Sequence, residues 1–112
     1  MDDNWGEWNR KGASLSDKTA RREFGLTQEE IYRAIDAGRL QYRQQAMHGT
    51  PFLRFLRREV EAEVARLRGG PELQKLKLEA ELAKVESELR ALKMQIRRNE
   101  ELRDALRAEL GS

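Results

Sequence analysis

Between Glu72 and Leu110 the sequence contains neither glycine nor proline. A run of about 40 residues without a breaker predicts one continuous helix, about 60 Å long at 1.5 Å per residue. Within it Leu78, Leu82, Val85, Leu89, Leu92 and Ile96 follow alternating spacings of four and three, the heptad rule for a two-stranded seam. The remaining faces are almost wholly Glu, Lys, Arg and Ala. So narrow an apolar stripe is not covered by its own helix, and propensity alone does not keep so polar a helix rigid. A partner is therefore expected, and a second copy of the chain is the simplest one. The same spacing next meets Asn99 and Arg103, so either the pairing weakens there or the register shifts to Leu102, Leu106 and Leu110. Parallel and antiparallel pairings both remain open.

Gly69-Gly70-Pro71 precedes this helix: the glycines end whatever comes before, and proline suits the opening of a helix. It divides the chain into an arm over 1–13, a small globular domain over 14–68, a hinge over 69–71 and a dimerisation helix over 72–110. The arm has no periodicity, carries Gly6 and Gly12, and reads as flexible, with Trp5 and Trp8 as an apolar patch that folds back onto the domain. Leu15, Ala20 and Phe24 recur at helical spacing behind the capping pattern Ser14 to Asp17, and Gly25 ends that helix. Thr27-Gln28-Glu29-Glu30 is a full capping box for a second helix, with Ile31, Ala34 and Ile35 on its inner face and Gly38 at its close. The period then changes to two. Leu40 and Tyr42 alternate with Gln41 and Arg43, His48 to Pro51 form a turn, and Leu53 and Phe55 flank Arg54. Leu56, Val60, Val64 and Leu67 return to helical spacing and are expected to close the core over this hairpin.

The fold class is thus mainly α: two helices about a tight turn, a two-stranded wing, a covering helix, and a long coiled-coil helix. With 112 residues, 38% of them charged, there is room for one small core. Net charge is only +2, but over 16–58 nine basic residues face five acidic ones, a net +4 that suits a polyanionic partner. There is no cysteine, hence no disulfide framework and no thiolate metal site. The opening Met1-Asp2-Asp3-Asn4 is acidic where a secretory leader is basic and then apolar, and no apolar run suits a membrane span, so a cytoplasmic protein is expected. The sequence offers no nucleophile paired with a base and no phosphate-binding glycine loop, so no enzyme is expected, nor any cofactor.

Thr19-Ala20-Arg21-Arg22-Glu23-Phe24-Gly25-Leu26-Thr27, with the helix-then-strand step from Ile31 to Leu40, resembles the winged helix-turn-helix domains of the MerR and excisionase family. The resemblance covers about Leu15 to Leu67, and the coiled-coil helix that follows matches the MerR order of elements. More loosely, Tyr42 to Val64, with its His48-Gly49 turn and Phe52-Leu53-Arg54-Phe55-Leu56, is similar to the DNA-binding region of the xeroderma pigmentosum group A repair proteins. The resemblance implies a homodimer on double-stranded DNA, nucleoid-associated, acting in transcriptional regulation, excision or DNA architecture. The helix after the turn then enters the major groove, and the wing rides on the backbone or minor groove.

Carried onto this sequence, the groove-facing residues are Gln28, Glu29, Tyr32 and Arg33, since Ile31, Ala34 and Ile35 face inward; Gln28 and Arg33 suit base edges. Arg43, Gln44, Gln45 and His48 belong to the wing. Arg21, Arg22, Arg54, Arg57 and Arg58 are placed for phosphates, whose geometry the guanidinium matches. His48 lacks any neighbour at metal-ligand spacing and is read as a turn residue; Met47 is read as a gap-filler. Against these stand Glu29, Glu30 and Asp36, which make the second helix acidic. They favour an alternative in which the domain and the coiled coil bind protein partners as a structural adaptor.

Overall fold

The computed structural model describes residues 5–111. Its elements are α1 (Trp5–Asn9), β1 (Ser14–Ser16), α2 (Asp17–Phe24), α3 (Gln28–Asp36), β2 (Tyr42–Met47), β3 (Thr50–Leu56), α4 (Arg57–Arg68) and α5 (Gly70–Gly111). The protein is mainly helical, with one three-stranded antiparallel sheet in the order β1-β3-β2. No described helix is long and apolar enough to cross a membrane. The chain divides into two compact units, one ending at Lys77 and one beginning at Leu78.

The first unit departs from expectation at its start. Part of the arm is ordered: α1 is helical and Trp8 is buried, while residues 1–4 of the arm lie outside the described residues. Ser14 to Ser16 form a strand and not the first turn of a helix, because Ser14, Leu15 and Ser16 pair with Leu56, Phe55 and Arg54. The cap of α2 is accordingly Ser16, whose side chain accepts from the Thr19 amide at 3.1 Å. Three residues are too few to announce a strand by alternation, and it is long-range pairing with β3 that makes them one.

Further along, local chemistry decides. Gly25 takes a left-handed φ of 68° and ends α2. The capping box of α3 forms in full: the Glu30 amide donates to Thr27 Oγ1 at 3.1 Å, and the Thr27 amide donates to Glu30 Oε1 at 2.9 Å. Thr27→Ala removes one of these bonds and is expected to lower the unfolding free energy by about 1 kcal/mol, readable as a reduced midpoint in urea. His48 and Gly49, at φ 52° and 82°, form the two-residue turn between β2 and β3. Positive φ at both positions matches the right-handed twist of a hairpin. Thr50 and Pro51, expected in the turn, therefore belong to β3, opposite Met47 and Ala46. Proline is accommodated because β1 reaches β3 only from Arg54 onward, leaving the strand unpaired on that side.

Residues paired across a ladder share a face. Leu15, Phe55 and Tyr42 lie on one face, and Ser16, Arg54 and Arg43 on the other. The first face closes the core, where Leu15 and Phe55 cluster with Ala20, Phe24, Leu26, Ile31, Ala34, Leu40, Val60 and Val64. Leu67, expected in this core, is instead exposed at the end of α4. Its place is supplied from beyond Gly69-Gly70, where Leu73 and Leu76 of α5 pack against the cluster.

One charged residue lies among these apolar ones. Glu63 of α4, 3% exposed, accepts from Arg66 at 2.7 and 3.2 Å and from Arg39 at 2.8 and 3.3 Å. The Arg66 hydrogen bonds, and then those of Arg39, outweigh burial and hold its carboxyl down at about 2. Arg39 thereby ties the turn after α3 to α4.

In the second unit α5 runs unbroken to Gly111 and buries no residue.

Candidate nucleic-acid interface

The box at Thr27 sets the phase of α3. With Ile31 and Ala34 inward, Gln28 and Tyr32, one turn apart, come to the surface together, Tyr32 53% exposed. Gln44 of β2 lies on the core-side face of the sheet, as period two requires for a residue two positions from Tyr42. Gln28, Tyr32 and Gln44 thus converge on one cleft of about 230 Å³, completed by Asp17, Pro51, Phe52 and Leu53. Amide and phenol groups here offer both donors and acceptors. Asp17 and Phe52 were not anticipated as parts of this surface. Phe52 was legible as the only aromatic in the first half of β3; Asp17 was not, since its position depends on the start of α2.

The acidic character of α3 is largely matched by basic partners. Glu29 pairs with Arg33, and Glu30 accepts from Arg68 of α4 at 2.8 Å. The Arg68 hydrogen bond, reinforced by the Thr27 amide, pushes the Glu30 carboxyl below its usual range, so it stays ionised and satisfied. Arg33 is at the surface but shared with Glu29, which limits its reach toward a base edge. Arg21 lies 3.7 Å from Asp17 on α2, and Arg22 beside it is exposed.

The other basic residues do not join this cleft. Arg43 is on the opposite face of the sheet from Gln44, its guanidinium 4.7 Å from the Trp8 ring centroid, a cation–π contact that brings α1 onto that face. Arg54 shares the face and donates to the Ser14 carbonyl at 3.0 Å and to its hydroxyl at 2.8 Å, fastening β1 to β3. Arg57 donates to the Gly12 carbonyl at 2.9 Å and stands 3.6 Å from Glu23; Arg58 donates to Glu7 at 2.8 Å. His48 and Gln45 are exposed on the hairpin, His48 in its turn. Of the residues expected to meet nucleic acid, the structure gathers Gln28, Tyr32 and Gln44, and gives Arg43, Arg54, Arg57 and Arg58 intramolecular partners. Arg57 and Arg58 line a second cleft, of about 290 Å³, with Arg10 and Lys11. The latter two were not anticipated, although Arg10-Lys11-Gly12 is a readable basic step.

On α5, Leu78, Leu82, Val85, Leu89, Leu92 and Ile96 are all exposed, between 46% and 59%. Because the helix is continuous, Leu106 and Leu110 resume the three-four spacing beyond Asn99 and Arg103, so they lie on the same face and no register shift is required to include them. Leu102 lies one position off that seam.

No protein-family model matches the chain, and comparisons with curated proteins and with solved structures find no match.

Proposed function

We propose that the protein is a DNA-binding dimer of winged helix-turn-helix type, related in design to the MerR and excisionase proteins. In this reading α2, the Gly25 turn and α3 form the helix-turn-helix, β2 and β3 the wing, and α5 pairs two copies along its leucine stripe. The observation that carries it is the cleft in which Gln28 and Tyr32 of α3 stand beside Gln44 of the hairpin: a helix face and a hairpin jointly present neutral hydrogen-bonding groups. Amide side chains such as these read base edges, as arginine also does, while contacts to the phosphates position the protein without reading sequence. Pairing of Glu29 with Arg33 and of Glu30 with Arg68 removes much of the repulsion that an acidic α3 otherwise presents to phosphates.

Titration against a random-sequence duplex at several salt concentrations tests this reading. Binding in the range of about 10⁻⁴ to 10⁻⁶ M at moderate salt, tightening linearly on log axes as salt falls, is expected of a protein that displaces counterions from the backbone. Absence of binding at low salt overturns it. One observation favours a second reading, an adaptor that holds a protein partner: Arg33, Arg54, Arg57 and Arg58 already have partners within the chain.

A further inference from the structure

The second cleft lies where the link between α1 and β1 meets the start of α4. The Arg57 amide donates to the Ala13 carbonyl at 2.8 Å and its guanidinium to the Gly12 carbonyl at 2.9 Å, so the two segments are stitched at adjacent residues. Arg10, Lys11, Arg57 and Arg58 line the space, together with Glu7 and Glu61, for a local excess of two positive charges. Both carboxylates are engaged. Glu61 faces Lys77 at 3.4 Å. Glu7 receives Arg58 Nε at 2.8 Å and has Arg10 Nη2 at 3.9 Å, both on the same oxygen, Oε2.

One guanidinium hydrogen-bonded to an anionic oxygen, with a second within ion-pair range of it, is an arrangement that a phosphate oxygen can also take. We propose that this cleft, formed by Arg10, Lys11 and Arg58 over the Gly12 link, binds a backbone phosphate of duplex nucleic acid, and that Glu7 holds the phosphate's place in the free protein. The inference rests on the nucleic-acid reading above and adds to it a contact remote in sequence from α3. Glu7 is on a five-residue helix and its side chain is 15% exposed, so the exchange requires that side chain to leave the two arginines. A phosphodiester likewise offers two charged non-bridging oxygens, one for the site that Arg10 and Arg58 flank and one for Lys11 on the cleft wall.

The test is the salt dependence of binding to a random duplex, measured on the full chain and three variants. Arg10→Ala with Lys11→Ala is expected to flatten the slope of log affinity against log salt by about 0.9 for the phosphate lost, a weakening of about eightfold at 0.1 M salt. Both residues are exposed, so the fold is retained, as the thermal midpoint verifies. Glu7→Gln is expected to tighten binding without flattening the slope. Arg97→Ala with Arg98→Ala on α5 removes the same charge elsewhere and is expected to leave the slope unchanged. If the wild type binds and the Arg10/Lys11 variant keeps its slope, or if the α5 variant loses as much, the proposed cleft contact is overturned while the nucleic-acid reading stands. A wild type that binds no duplex at 50 mM salt overturns both.

Discussion

Leu89→Asp is expected to convert a dimer into monomers at micromolar concentration, with the thermal unfolding of the N-terminal unit unchanged. Leu89 is half exposed on a helix that buries none of its own residues. Eight apolar residues follow the three-four spacing between Leu78 and Leu110, interrupted by Asn99 and Arg103. Burying one leucine in a seam is worth about 2 kcal/mol, and a two-fold dimer buries each position twice. Replacing it by a carboxylate reverses that gain and adds the cost of desolvating two charges, together several kcal/mol and more than a hundredfold in association. Sedimentation equilibrium reads the result directly. Lys84→Asp, also on α5 but off the stripe, serves as the control and is expected to leave the mass unaltered. A wild type that sediments as a monomer, or a Leu89→Asp variant of unchanged mass, removes the coiled-coil seam from the account.

Glu63→Gln is expected to lower the unfolding free energy by about 2 to 3 kcal/mol at pH 7. The carboxylate takes four hydrogen bonds from two arginines; an amide accepts on one side only and turns its own donors toward the other guanidinium. The cost stays below that of a fully enclosed ion pair because Arg39 and Arg66 are partly exposed and can turn to water. The loss carries a pH signature. Glu63 is held at about 2 in the folded protein against its ordinary 4.5, so its contribution is complete above about pH 4.5 and is lost as pH falls toward 2. Chemical denaturation at pH 7, 4 and 2 is therefore expected to show the wild type and the variant converging as acid is added. A gap that persists at pH 2 assigns the effect to packing and not to charge.

The two outcomes differ in how far they could be anticipated. Heptad spacing is a local property of one helix, and the stripe from Leu78 to Ile96 was readable from order alone. Glu63 gave no such sign, since Glu59, Glu61 and Glu63 look alike in a charged helix until Arg39, 24 residues upstream, is brought beside one of them. The candidate site divides in the same way. That Gln28 and Tyr32 come to the surface followed from the inward phase of Ile31 and Ala34, and that Arg43 and Gln44, both wing residues, occupy opposite faces was implicit in strand alternation. The hydrogen-bond partners of Arg54, Arg57 and Arg58 lie 40 to 51 residues away and were not implicit in anything local.

What the order of residues determined by itself were features whose causes lie within a few positions: the capping box at Thr27, the left-handed Gly25, the turn at His48-Gly49, the break at Gly69 and the unbroken helix that follows. Each is set by backbone sterics or by a hydrogen bond spanning three or four residues. Tertiary structure alone decided that Ser14 to Ser16 become a strand, that Trp8 covers Arg43, and that Leu73 and Leu76 complete the core where Leu67 does not. Those outcomes depend on which distant surfaces meet, because a three-residue strand or a lone tryptophan has too little local preference to select its own partner.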